Sequence, residues 1–166
     1  MLIGGQSMIR ALRMLAVAAI LGAGSSAGVL GETGDPVVRF HSDDAEMAAA
    51  QSKARATLAQ FWQAHEHPGS DESGFALKVA VPVSRSNIWM NDIERQDGKI
   101  TGVVNNVPHD AKWLREGQRV AIREERISDW MFMRAGKIVG NETLRPILKR
   151  LPPPEAARLR AMLEEP

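Results

Sequence analysis

The chain has no cysteine and no dominant sign of charge, and both absences narrow its possible functions. Without cysteine, a chain of 166 residues has no disulfide, thiolate nucleophile, cysteine-ligated zinc site or lipidated cysteine. Its 21 Lys and Arg residues balance 20 Asp and Glu residues, which argues against a nucleic-acid partner held by charge. The hydrophobic fraction of 44% and the charged fraction of 25% are typical of one soluble globular domain.

Signature motifs for cofactors and nucleophiles are also missing. The chain contains no phosphate-binding glycine loop and no Gly-x-Gly-x-x-Gly dinucleotide fingerprint. A Gly-x-Ser-x-Gly match at 24–28 lies at the end of the predicted signal peptide, residues 1–27, outside the strand-turn-helix context of a nucleophile elbow. His65 and His67 are only two residues apart at a predicted helix end, where their side chains point in different directions and do not chelate one ion. An imidazole site needs three or four converging ligands. The sequence therefore predicts no cofactor and no metal.

The N-terminus has the form of a secretory signal peptide. Residues 1–27 contain no acidic residue, and their basic residues, Arg10 and Arg13, precede a short apolar run at 14–21. Small residues follow, with Ser25 and Ala27 at the −3 and −1 positions of a cleavage site after Ala27. The run is well short of the roughly 20 apolar residues of a spanning helix. We therefore expect a periplasmic or secreted protein with no stable membrane anchor after cleavage, starting at Met1 or Met8.

Residues 28–42 have no clear hydrophobic period and are interpreted as a linker, so the single domain is predicted at 43–164. One long helix is expected from Asp43, as its cap, to about His67. Its apolar face carries residues at helical spacing, and Pro68 with Gly69 ends it. The apolar residues of this face are Met47, Ala50, Ala54, Leu58 and Phe61.

Alternating apolar residues predict several strands after this helix. Phe75, Leu77, Val79 and Val81 are expected to face the core from the first strand, at 75–81. The other strands are predicted at 87–95, 99–105, 118–123, 127–133 and 137–140. Hairpin turns are predicted at Asp97-Gly98 and Ala135-Gly136.

Two short helices are expected at the C-terminus. One follows Thr143 as its N-cap and places Pro146 in the first turn, where a missing N–H does little harm. The other is predicted from Glu155 to Leu163, after the three prolines at 152–154. The predicted fold class is α+β: a small curled antiparallel sheet of five or six strands, with one long N-terminal helix and two short C-terminal helices.

Five segments together resemble a known family. They are SGFALK at 73–78, IWMNDI at 88–93, DGKITG at 97–102, ISDWM at 127–131 and LPP at 151–153. The combination is similar to the YegJ-like family of uncharacterised bacterial proteins, domain of unknown function 2314, over residues 43–163. The resemblance implies a compact α+β domain, often with a signal peptide. It implies no activity, because none is assigned to the family.

Two aspartates and three tryptophans are the candidate binding residues. Asp92 and Asp129 lie in predicted strands, where aspartate is depleted, and they are close in sequence to Trp89 and Trp130. One interpretation is a polar site walled by aromatic rings, where the carboxylates bind a ligand or do acid/base chemistry. The alternative is that each aspartate caps local backbone at a strand end or bulge while the tryptophans fill the core. Trp113, in a predicted loop, is a candidate contact residue or a lid over the core.

Two functions follow from these residues. The first is a non-catalytic envelope module that binds a protein, a peptide or a small ligand through the loop surface of its sheet. The second is a hydrolase-like enzyme that uses Asp92 and Asp129 in a cleft, which requires the two carboxylates to lie within several Å of each other.

The signal peptide generates the first testable prediction. Expression of the full chain in a Gram-negative host is expected to yield periplasmic protein that begins at or within a few residues of Gly28, because signal peptidase cleaves after small residues. N-terminal sequencing and intact mass of the periplasmic fraction measure this. Cytoplasmic protein that retains residues 1–27 would contradict it.

Overall fold

The computed structural model describes residues 20–21, 39–40, 44–82, 84 and 86–165. Ahead of residue 44 it describes two short strands, Ile20–Leu21 and Arg39–Phe40, which pair in parallel apart from the main sheet. The predicted signal peptide and linker otherwise lie outside the described residues. Over the described part of the chain, no helix is long and apolar enough to cross a membrane.

Six strands form the main sheet, and each neighbouring pair is antiparallel. The strands are β1 (Glu72–Ala80), β2 (Asn87–Gln96), β3 (Lys99–Val104), β4 (Arg119–Ile122), β5 (Ile127–Arg134) and β6 (Lys137–Gly140). Their order across the sheet is β4-β3-β2-β1-β5-β6. The helices are α1 (Ala45–Ala56), α2 (Leu58–Glu66), α3 (Leu144–Leu148) and α4 (Pro153–Met162). The predicted fold class, α+β with a curled antiparallel sheet, is confirmed.

The connection from β4 to β5 requires the sheet to curl. The two strands are four positions apart in the sheet, which in a flat sheet is about 19 Å. The chain from Ile122 to Ile127 reaches at most about 18 Å when fully extended, and part of it is a 3₁₀ turn, Glu124–Arg126. The sheet therefore has to bend its β4 edge back toward β5.

Both predicted hairpin turns are confirmed by their backbone angles. Asp97 and Gly98 have φ of 50° and 72°, and Ala135 and Gly136 have φ of 47° and 76°. Two successive residues with positive φ make the turn whose twist matches that of the flanking strands. Thr143 is the N-cap of α3, as predicted, and Pro146 lies in its first turn. Helix α4 begins at Pro153, two residues before the predicted start, because proline is well tolerated at the first helical position.

The prediction of one long N-terminal helix is wrong: the segment forms α1 and α2, which meet at Thr57. The Thr57 hydroxyl donates to the carbonyl oxygens of Lys53 and Ala54, at 2.9 and 3.2 Å. Hydrogen bonding of a threonine back to its own helix bends the helix. The Ala54 oxygen also accepts from Trp130 Nε1 at 2.8 Å, so a strand residue holds this bend.

The cap of α1 is Asp44, not the predicted Asp43. The Asp44 carboxylate accepts from the Met47 backbone N–H at 3.0 Å. This hydrogen bond is the main cause that lowers the pKa of the Asp44 carboxyl from its ordinary value, and contact with Arg150 adds to the effect.

Helices cover both faces of the sheet, so there are two hydrophobic clusters. The first cluster joins α2 to side chains such as Leu77, Val79 and Trp130. The second joins α3 and α4 to Ala76, Trp89 and the opposite face of β5. Strand β1 is consequently buried on both faces. The predicted inward positions Leu77, Val79 and Val81 are buried and Phe75 is half-buried, but Lys78, on the other face, is buried as well.

Gly140, at the end of β6, is the glycine whose replacement we expect to be most costly. It has φ +79°, and an added Cβ would lie 2.5 Å from the Trp130 carbonyl oxygen and 2.6 Å from the Trp130 ring. Gly140→Ala should lower the free energy of unfolding by about 3 kcal/mol or more, from left-handed strain and overpacking together.

Gly117→Ala is the matched control for this prediction. Gly117 has a similar φ of +81°, but nothing lies within 4 Å of an added Cβ. Gly117→Ala should lower the free energy of unfolding by about 1–2 kcal/mol, from the backbone strain alone. Urea denaturation of the two variants measures the difference, and equal losses would show that the Trp130 contact is unimportant.

Candidate functional site

A cleft opens between the curled sheet and the β3–β4 loop, residues 105–118. Its volume is about 380 Å³, within the range of small-molecule sites. The walls are mainly apolar and come from the end of β1 and from β2, β4 and the loop. Trp113 and Leu114 line its loop side, and Arg123 and Arg126 lie where the chain leaves β4. We call this feature the loop cleft.

The β3–β4 loop is anchored at several points. The Asp110 carboxylate accepts from the hydroxyls of Ser84 and Ser86, at 2.6 and 3.0 Å, and so ties the loop to the β1–β2 connection. Ala111, next along the chain, is fully buried. Trp113 is nevertheless 55% exposed. A large aromatic side chain held at the surface by an anchored loop is suited to contact with a ligand.

The charges in the lining of the loop cleft are all positive. Among the described residues of its lining, Arg123 and Arg126 are the ionisable ones, and none is acidic. Arg123 forms a long ion pair with Glu125 at 3.7 Å, in which both side chains are 70% exposed. Such an exposed pair is weak. Within the described part of the chain, the Arg126 side chain has no ion pair or hydrogen bond. The cleft therefore offers cationic groups beside an apolar surface.

Another depression on the surface has mainly paired polar groups, although Arg160 in its lining has no ion pair or side-chain hydrogen bond within the described residues. A groove of about 640 Å³ lies between the C-terminal helices and β6. In it, Arg145 binds Glu142, Lys149 pairs with Glu46, and Lys137 donates to a backbone carbonyl. These side chains bind each other or the backbone, so they are less available to a ligand than Arg126.

A buried polar network lies on the other face of the sheet. Trp89, Lys78 and Asp129 are opposite one another on β2, β1 and β5, so they form a row across one face. Lys78 Nζ donates to the Thr143 hydroxyl at 2.9 Å, and that hydroxyl donates to Asp129 Oδ2 at 2.6 Å. Lys78 Nζ is also 5.5 Å from the centre of the Trp89 ring. We call Lys78, Thr143 and Asp129 the buried network.

Asp129 is fully buried, and its carboxylate has four donors. The backbone N–H groups of Trp130, Glu142 and Thr143 donate to it, in addition to the Thr143 hydroxyl. Because burial disfavours a charge, it raises the pKa of the Asp129 carboxyl, against the lowering effects of Lys78 and the hydrogen bonds. Burial also lowers the pKa of the Lys78 ammonium, against the opposing effect of Asp129. The network is buried, and its hydrogen bonds join β1 and β5 to the start of α3.

The structure brings together only two of the five predicted site residues. Trp89 and Asp129 share the row across one face of the sheet, beneath α3 and α4. Trp130 faces the opposite cluster, and Trp113 lies at the loop cleft. Sequence reasoning missed Lys78, because its alternation with Leu77 and Val79 indicated a solvent-facing side chain. It also missed the Thr143 hydroxyl, which binds Asp129 and Lys78 instead of capping α3.

Asp92 lies in a β-bulge on the surface. The pairing of β2 with β3 shifts between Asn91 and Glu94, and Asp92 has a positive φ of 48°. Arg119 of β4 contacts the Asp92 carboxylate, donates to its carbonyl oxygen at 2.9 Å and pairs with Glu94 at 3.3 Å. The arginine thereby fastens the bulge to the edge strand.

The two aspartates do not form a catalytic pair. Lys78 on β1 lies between Asp129 on β5 and Trp89 on β2, so Asp129 and Trp89 are two strands apart. Asp92 is three residues beyond Trp89 along β2. These offsets place the Cα atoms of Asp92 and Asp129 roughly 14 Å apart, too far for the carboxyl groups to approach the roughly 5–5.5 Å of a retaining catalytic pair. One aspartate is buried and the other is exposed. Asp129 binds backbone N–H groups, as the alternative interpretation expected, whereas the Asp92 carboxylate lies at a bulge and contacts the Arg119 side chain instead of local backbone.

The histidine pair likewise forms no metal site. His65 stacks on Phe61, and its Nε2 is 3.0 Å from the Ile93 carbonyl oxygen. Over the residues that the structure describes, no group of three or more His, Asp or Glu side chains is arranged to hold a metal.

The buried network generates a stability prediction. Asp129→Leu leaves the Lys78 ammonium buried without its counter-charge, so it should lower the free energy of unfolding by about 3–5 kcal/mol at neutral pH. Adding Lys78→Met removes the unpaired charge and should restore part of that loss. Denaturant titration of the two single variants and the double variant measures the coupling. Strictly additive losses would contradict it.

The pH dependence follows from the lowered pKa of Lys78. In Asp129→Leu the unfolded chain keeps an ordinary lysine, with a pKa near 10.5, while the folded state binds the proton more weakly. The unfolded state then binds more protons between the two pKa values, so stability rises with pH there. The difference in the free energy of unfolding between the natural protein and Asp129→Leu should therefore become smaller as the pH rises toward about 10. The double variant should show no such recovery.

Comparison with known proteins gives the family of this fold. The family model described as "Uncharacterized protein conserved in bacteria (DUF2314)" matches residues 44–162. The "Uncharacterized protein YegJ" of Escherichia coli K12 is 30% identical over 132 residues, which cover 80% of this chain and 86% of the relative. The "Putative ankyrin repeat protein" of Neisseria meningitidis serogroup B is 28% identical over 67% of this chain and 48% of its own length. No solved structure gives a significant match. The chain thus belongs to the DUF2314 family of uncharacterised bacterial proteins, as the resemblance to YegJ indicated.

Proposed function

We propose that this protein is a non-catalytic binding module of the bacterial envelope, which holds its ligand in the loop cleft. The observation that carries the proposal is the exposed Trp113 on an anchored loop, beside an apolar cleft of about 380 Å³. Ligand pockets are lined mainly by apolar and aromatic side chains, with a few polar groups, and the lining of the loop cleft has this composition. Leu114, next to Trp113, is half-buried and packs on the first hydrophobic cluster.

The anchors of the loop support binding by a preformed surface. Backbone hydrogen bonds join Gly117 and Gln118 at the end of the loop to Val104, at 2.8 and 2.9 Å. At the start of the loop, Asn105 N–H donates to the Trp89 carbonyl oxygen at 2.9 Å, and Asn106 Oδ1 accepts from Trp89 N–H at 2.8 Å. A surface that is ordered before binding loses less conformational entropy when the ligand arrives.

A catalytic role has less support from the geometry. Lys78 and Asp129 of the buried network are sealed from solvent, and the Asp92 carboxylate contacts Arg119. The part of the loop cleft that the structure describes is lined by arginines and apolar side chains, without an acid, base or nucleophile that has an activating partner. The envelope location rests on the signal-peptide pattern at residues 1–27.

Photo-crosslinking in cells tests the proposal for a ligand of any class. Benzoylphenylalanine at Lys112, an exposed residue beside Trp113, should give specific mass additions to the purified protein after irradiation. The control position is Arg158 on α4, which is exposed and away from the cleft. Intact-mass analysis detects both proteins and small molecules as adducts.

Trp113→Ala should lower the crosslinking yield at Lys112 at least about fivefold, since truncation of a binding aromatic residue costs more than about 1 kcal/mol. Trp113→Phe should retain most of the yield, because it keeps an aromatic surface. Equal yields from the Lys112 and Arg158 positions, or equal yields with and without the Trp113 side chain, would contradict a binding role for the loop cleft.

A further inference from the structure

The combination of apolar walls and unneutralised arginines in the loop cleft indicates a chemical class of ligand. We propose that the cleft binds a small amphipathic anion: an apolar chain or ring that carries one carboxylate or phosphate group. This inference rests on the proposed function and specifies its ligand.

The walls of the loop cleft define the apolar part of this ligand. Ile88 and Met90 of β2 are buried side chains at its inner end, and Val120 of β4 and Trp113 are partly or largely exposed. The apolar surface therefore runs continuously from solvent to the core. A volume of about 380 Å³ accommodates a medium-length alkyl chain or a ring, but not a folded protein segment.

Arg123 and Arg126 define the anionic part. Arg126 is half-buried and, within the described residues, has no acidic partner, while the Glu125 partner of Arg123 is distant and exposed. A guanidinium group presents several donors in a plane and binds carboxylate or phosphate oxygens well. Its alkyl stem can also pack on apolar surface.

Acidic side chains are absent from the described lining of the cleft. Asp110, in the same loop, is occupied by Ser84 and Ser86. Glu124 and Glu125 are exposed, and neither lines the cleft. The cleft is therefore complementary to an anion, and unfavourable for a cation of the same apolar size.

Three probes that share an eight-carbon chain test the charge preference directly. They are octanoate, 1-octanol and octyltrimethylammonium, and binding is followed by the fluorescence of Trp113. The Trp113→Phe variant, titrated in parallel, gives the part of the signal that comes from the buried tryptophans. Octanoate should bind roughly three- to tenfold more tightly than octanol, as for one charge-assisted contact at a partly exposed site. Octyltrimethylammonium should bind more weakly than either.

The double variant Arg123→Gln/Arg126→Gln separates the charge from the cavity. Its affinity for octanoate should fall to that for octanol, while octanol binding stays unchanged, which also shows that the cleft is still folded. Arg158→Gln, an exposed change on α4, is the matched control and should leave all three affinities unchanged. The preference for octanoate should also decrease as salt is raised, because partly exposed charges are screened.

Octyl phosphate in place of octanoate distinguishes phosphate from carboxylate as the preferred head group.

The possible outcomes separate the ligand class from the proposed function. Equal binding of octanoate and octanol by the natural protein, or an unchanged preference in the double arginine variant, overturns the amphipathic anion and leaves the cleft as a binding site. Failure of all the probes to bind also overturns the proposal of an amphipathic anion. The crosslinking experiment at Lys112 then decides separately whether the cleft binds a different partner. Octanoate preferred over both other probes, with the preference lost in the double arginine variant, establishes the inference.

Discussion

The buried network of Lys78, Thr143 and Asp129 is the constraint on which the arrangement of this fold depends. A carboxylate and an ammonium group taken out of water must find partners inside the protein, and the loss is large when one partner is absent. Here the partners come from the central strand, from β5 and from the start of α3. The network therefore specifies where α3 begins against the sheet. Because α3 and α4 pack together on this face, it also sets the position of the second hydrophobic cluster.

The same row of residues explains why the sheet is covered on both faces. Trp89 and Ala76 supply apolar surface beside Lys78, so the face that carries the charge pair is otherwise hydrophobic. On the opposite face, Trp130 packs in the first cluster and donates to the bend between α1 and α2. Adjacent residues of β5 thus attach one helical layer to each face. The curl of the sheet then leaves the loop cleft near its β4 edge, where neither layer covers the interior.

Several features could be predicted from the sequence because they depend on neighbouring residues. The Asp97-Gly98 and Ala135-Gly136 turns need only residues that accept positive φ. The strands follow from alternation, the end of the N-terminal helical segment follows from Pro68 and Gly69, and Pro146 in the first turn of α3 follows from its missing N–H. Trp113 was also identifiable as a loop residue. The resemblance to the YegJ-like family, carried by short segments throughout the domain, identified the correct family.

The tertiary structure alone decided which polar residues are buried and which are brought together. Lys78 alternates with apolar residues as a solvent-facing lysine does, and only the second helical layer makes its position an interior one. Thr57 and Trp130 are 73 positions apart in the chain, so their joint action on the Ala54 carbonyl could not be read from local spacing. Asp92 and Asp129 look alike in sequence, yet one fastens a surface bulge and the other binds buried backbone. Local propensity acts between neighbours in the chain, whereas burial and charge pairing act between neighbours in space. For that reason the sequence determined the strands and their hairpin turns, while the fold decided the break between α1 and α2 and the environment of each polar residue.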